Sequence, residues 1–134
     1  MMASRVVLLL LLIVLAGGCV VLPAAPGRNL EVEEALRNAA RQVHSCYRAP
    51  RVSSAGRQIV TRLRVRLTPD GELAGLPILL GQSGVTPANR TSAAPMAQAA
   101  IAAVLRCAPL RLPPDLYARG WSAFDLTFSP LGVA

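Results

Sequence analysis

The sequence predicts an α+β fold: a three-stranded antiparallel sheet in the order 2-1-3, covered on one face by two helices. Three observations carry this. From Ile59 to Leu67 the chain alternates strictly, with Ile59, Thr61, Leu63, Val65 and Leu67 on one side and Arg62, Arg64 and Arg66 on the other. That is the period of a strand with one buried and one wet face. Two further segments repeat apolar residues at helical spacing, Leu36/Ala40/Val43/Tyr47 and Met96/Ala100/Val104/Cys107, as helices packed on a sheet require. Between the first strand and the next apolar run stands Pro69-Asp70-Gly71, with the residue chemistry of a tight turn.

The elements follow in order. Arg5 precedes an uncharged apolar run, Val6 to Leu15, which is followed by Ala16-Gly17-Gly18-Cys19. A positive residue, an apolar stretch and small residues make an export signal, so residues 1–19 are set apart from the fold. Three readings stay open for them: cleavage after Gly18, lipidation of Cys19 in a lipobox-like setting, or retention as an anchor. As a helix, Val6 to Leu22 spans roughly 25 Å, a little short of the ~30 Å hydrocarbon core. Each reading places the rest of the chain outside the cytoplasm. Residues 20–30, rich in Pro, Ala and Gly, read as a linker.

The folded domain is expected over 31–134. Glu31, Glu33 and Glu34 favour the start of the first helix, where the dipole stabilises negative charge, and the helix should end before Pro50. Residues 51–57 read as a loop. After the Pro69 turn, Leu73 to Leu80 returns as the second strand, with Pro77 marking it as an edge. Gly81 to Arg90 is a loop, and Ser92 is the expected N-cap of the second helix. Pro109, Pro113 and Pro114 end that helix. Phe124, Leu126 and Phe128 alternate with Ala123, Asp125 and Thr127 as the third strand. A right-handed crossover brings it beside the first strand, which leaves its outer edge open.

Charge and cysteines narrow the function. The chain carries fourteen basic residues, all arginine, against seven acids, for a net +7. Export and the absence of any long basic run set nucleic acid aside as a partner. The three cysteines divide unevenly. With Cys19 in the signal region, Cys46 and Cys107 remain, each closing a helix on the same sheet, and a disulfide between them is expected; the alternative is two buried thiols. The one histidine, His44, stands two residues from Cys46 and so on another helix face. It offers no metal or nucleophile set. The acids are scattered without a catalytic pairing. No enzyme activity, cofactor or metal is expected.

The motifs, taken in order, resemble the C-terminal domains of the TolA/TonB family of the Gram-negative envelope, the TolA side most of all. They are Leu36…Cys46-Tyr47-x-x-Pro50, Val65-x-Leu67-x-x-Asp70-Gly71-x-Leu73 and Ala99-Ala100-x-x-Ala103-Val104-x-x-Cys107. Leu110-x-Leu112-Pro113 and Phe124-Asp125-Leu126-x-Phe128 complete the series. The resemblance implies a periplasmic protein-binding module without the long spacer of its full-length relatives. Its implied partners are envelope proteins or peptides, components of a Tol-Pal or outer-membrane transporter system, with membrane association through the N-terminus. Binding in such domains adds a strand at a sheet edge. Here that means the third strand, with Ala123, Asp125 and Thr127 along its edge, Trp121 as a candidate anchor beside it, and Arg62, Arg64 and Arg66 as a basic row for acidic contacts. The other function class that fits is a small exported inhibitor of an envelope hydrolase, with Gly81 to Arg90 as its protruding loop.

Overall fold

In a computed structural model that describes residue 18 and residues 26–134, the chain forms two long helices on one face of an antiparallel sheet. The order is α1 (Pro26–Cys46), β1 (Val60–Arg66), β2 (Ile78–Ser83), α2 (Arg90–Cys107), β3 (Ala123–Ser129) and β4 (Gly132–Val133). The sheet runs β2-β1-β3-β4, and every pairing in it is antiparallel. The expected order 2-1-3 is present; the expected strand count is not. A fourth strand joins because Ser129 to Leu131 turns the chain back, and Gly132 then pairs with Ser129 and Val133 with Phe128. The first helix starts at Pro26, within the expected linker, and ends at Cys46 as anticipated.

The core follows from the alternation read in the sequence. Leu63 and Val65 from β1, and Leu67 just after it, meet Phe124, Leu126 and Phe128 from β3, all at most 6% exposed. Ala35, Ala39, Ala40 and Val43 of α1 and Ala100, Ala103 and Val104 of α2 close over them. Small residues on the inner faces let both helices lie close to the sheet. Cys46 and Cys107 form the expected disulfide, with Cα atoms 5.7 Å apart, inside the usual span for such a bridge. Beside it the Gln42 side chain clamps the extended segment after α2, donating to the Arg111 carbonyl at 2.7 Å and accepting from the Arg111 N–H at 2.9 Å.

Two local features depart from expectation. The turn at Pro69 leads to a bridge between Leu67 and Leu73, but β2 proper begins only at Ile78, after Gly75 and Pro77 interrupt the return. Gly71 holds φ at +81° where its carbonyl accepts from Leu110 N–H at 2.8 Å, which ties this turn to the segment after α2. Helix α2 starts at Arg90, two residues before the expected cap at Ser92. The buried Asn89 precedes it and spends its side chain on three backbone groups: Thr86 N–H at 2.7 Å, Ala55 O at 2.9 Å and Gly84 O at 2.8 Å.

Candidate edge-docking site

The third strand owes its position to its apolar positions. Phe124, Leu126 and Phe128 face the helices, so Ala123, Asp125 and Thr127 project from the bare face, in register with Arg66, Arg64 and Arg62 of β1. Main-chain orientation alternates with the same period. Thr127 donates to the Ala134 carbonyl at 2.7 Å and accepts from the Ala134 N–H at 2.9 Å, so its amide and carbonyl point away from β1. Asp125 and Ala123, two and four residues earlier, point the same way. Among the described residues neither has a backbone partner on that side.

The edge is therefore divided. Its second half, including Thr127, is occupied by the chain itself, which corrects the expectation of an open edge through Thr127. The cause is the hairpin that adds β4. Ser129-Pro130-Leu131-Gly132 between Phe128 and Val133 is a turn signal that could have revealed it. His44, exposed on α1, helps hold β4: its Nδ1 accepts from Val133 N–H at 3.3 Å. The imidazole also lies so near Gly132 that a Cβ there would stand 2.6 Å from the ring.

The free half, Ala123 to Asp125, borders a groove of about 380 Å³ between β3 and α1. Leu36, Ala40, Leu126 and Val133 give it apolar walls, and Arg37 and Arg41 stand at its rim. Both rim arginines are bound to Glu34, at 3.2 and 2.8 Å. The hydrogen bond from Arg41, then that from Arg37, holds the Glu34 carboxyl below the usual carboxylate range. A segment laid along Ala123–Asp125 could satisfy the open backbone groups, send alternate side chains into the groove, and expose the others on the bare face.

The arginine row is where the sequence placed it, on the solvent side of β1, but it is not uniformly available. Arg64 grips Asp125 through Nε at 2.8 Å and Nη2 at 3.2 Å, and Arg62 reaches the same carboxylate at 3.2 Å. The Arg64 hydrogen bond is the main reason the Asp125 carboxyl lies below its ordinary range, and Asp125 in turn raises Arg64. Arg66 has no carboxylate partner among the described residues.

Trp121 is corrected outright as a docking anchor. It is 1% exposed, its indole N–H donates to the Pro113 carbonyl at 2.6 Å, and Tyr117 packs edge-on against it at 4.9 Å. The wide helical turn Tyr117–Trp121, closed by Ser122 N–H on the Tyr117 carbonyl, places the indole in the core, because so large an apolar ring gains more there than at a rim. The loop proposed for an inhibitor is also shorter than expected. Gly81 to Ser83 belong to β2, and Asn89 staples what remains. Cys19, the candidate lipidation residue, lies outside the described residues, as does the apolar N-terminal run. No described helix is long and apolar enough to cross a membrane.

A second cleft, of about 510 Å³, lies between the start of α1 and Pro113–Leu116. Glu31, Glu34 and Asp115 line it, and of these Glu34 is turned to its two arginines. No family model, curated protein or solved structure matches the chain.

Proposed function

We propose that this chain is a protein-binding module of the cell envelope that takes an extended segment of its partner as an added strand on β3. The supporting observation is the coincidence of an open backbone edge, Ala123 to Asp125, with an apolar groove beside it. A groove alone could receive many ligands. An unpaired strand edge in the groove wall favours a peptide, whose main chain supplies the complementary donors and acceptors. The motif resemblance to TolA/TonB C-terminal domains supports the same mode and points to Tol-Pal or outer-membrane transporter components as partners. The module acts in the periplasm without catalysis of its own, tethered through its N-terminus by lipid on Cys19 or by an apolar helix.

Replacement at Asp125 tests this directly. Asp125→Pro removes an outward N–H and leaves the bonds to β1 in place, because that N–H points away from β1. Asp125→Asn keeps the N–H and changes only charge. Binding to envelope partners recovered by pull-down should be lost with proline and retained with asparagine. Equal binding by both variants would sink edge addition. If the bait instead recovers only a hydrolase, and inhibits it, the inhibitor reading gains.

A further inference from the structure

The opposite edge of the sheet has no role in the docking just described, yet half of the exposed large apolar side chains among the described residues gather there. Leu76, Ile78, Leu79 and Leu80 are 73%, 44%, 47% and 39% exposed, four large apolar side chains within five positions. From Leu73 to Asn89 there is no charged residue. Monomeric domains rarely leave such a cluster to water without a use for it.

The backbone says what kind of partner fits. An edge that recruits a strand needs a regular row of donors and acceptors. This one is interrupted: the register with β1 shifts between Arg62 and Leu63, so that Leu80 is an extra residue in the ladder, and Pro77, just ahead of the strand, lacks an N–H. Bulges and prolines at an edge are devices that discourage strand pairing. The side chains remain presented although the main chain is blunted. A surface that offers apolar side chains without a usable ladder suits a fluid apolar phase better than another strand.

Charge complements it. Ile78 lies in register with Arg64 on the bare face, and Leu80 lines a shallow depression with Val60 and Arg62. The Arg66 guanidinium approaches Gly75, the residue before Leu76: a Cβ on that glycine would stand 3.4 Å from its Nη2. The bare face thus sets three guanidiniums beside the apolar edge, and Asp125 offsets one of them. Glu72 and Asp70 are the nearest acids in sequence, in the turn before Leu73. Over residues 26–134 the thirteen arginines exceed the seven acids by six. Apolar side chains flanked by arginine are the elements of a peripheral contact with anionic lipid. We infer that the β2 edge and the adjoining arginine row form a docking face for an anionic bilayer surface.

The test uses the full chain, mixed with neutral phosphatidylcholine vesicles or with vesicles that also contain phosphatidylglycerol, and reads amide hydrogen exchange across residues 76–83. Exchange should slow on the anionic vesicles and not on the neutral ones. Arg66→Gln should weaken that protection about fivefold in lipid concentration, the contribution of one arginine near such a surface. Leu76→Ser should weaken it about tenfold, given how much of that side chain is exposed. Unchanged exchange in 76–83 on vesicles that do bind the chain through its N-terminus would overturn the inference. Protection that rises with protein concentration in the absence of lipid would overturn it as well, in favour of pairing between two copies.

Discussion

Substituting Gly132 by alanine should make partner binding tighter, which is unusual for a change that disrupts a packed contact. Strand β4 occupies the half of the β3 edge that a longer partner segment would need. Its hold rests on the two Thr127–Ala134 backbone bonds and on the Val133 bond to His44. At about 1 kcal/mol net for each hydrogen bond, that is about 3 kcal/mol. Gly132 has φ of +153°, a conformation that costs another residue about 2 kcal/mol. Its new Cβ would also meet the His44 imidazole at 2.6 Å. Either the ring yields and Val133 loses its acceptor, or β4 lifts away. Removing about 2 kcal/mol from the competing strand should tighten binding of a segment spanning Ala123 to Ser129 about thirty-fold. A shorter segment that pairs only with Ala123 and Asp125 should be indifferent. Fluorescence anisotropy with labelled peptides of the two lengths, taken from a recovered partner, reads the difference. Amide exchange at Thr127 in the unbound variant reports independently that β4 has loosened. If exchange shows β4 released and the long peptide binds no more tightly, the β3 edge is not the docking site.

Two further outcomes follow from the same structure. The Cys46–Cys107 bridge closes a loop with a sequence separation of 61, for which chain entropy gives about 4 kcal/mol. The double replacement Cys46→Ala/Cys107→Ala should therefore shift the urea midpoint sharply downward, and a reductant should affect the parent chain and not the variant. The Asp125 carboxyl is held below its ordinary range chiefly by Arg64. A depressed folded-state value contributes stability above the unfolded carboxylate range, near pH 4, and loses it as pH falls through the lower folded value. Urea unfolding from pH 7 to pH 2 should show this loss, and Asp125→Asn should flatten that part of the profile. An unchanged profile would mean that the Arg62–Asp125–Arg64 cluster is too well solvated to matter.

Much of the fold was legible because its signals are local. The period-two run from Ile59 to Leu67 declares both its faces without reference to any other strand, and the helical spacing of Leu36 to Tyr47 and Met96 to Cys107 does the same. Once the two cysteines stood at the ends of those helices, their bridge followed from the packing. The start of β2 was misread because Leu73 to Leu80 looks like one apolar run, whereas Gly75 and Pro77 break its ladder after a single bridge. The site was legible only in part. Asp125 and Ala123 sit on the open edge as expected, but Trp121 could not be assigned from sequence, since an aromatic before a strand serves a core or a rim equally well.

The sequence by itself determined the order of the three main strands, the face of arginines, the two covering helices and the staple between them, because periodicity and turn chemistry act over a few residues at a time. Only the tertiary structure decided how much of the β3 edge is free. That depends on a contact across 89 residues, between the His44 imidazole and the Val133 amide, and on backbone bonds from Thr127 to Ala134. A residue's neighbours along the chain fix which way its amide points; what the amide finds there is set by whatever the fold brings alongside.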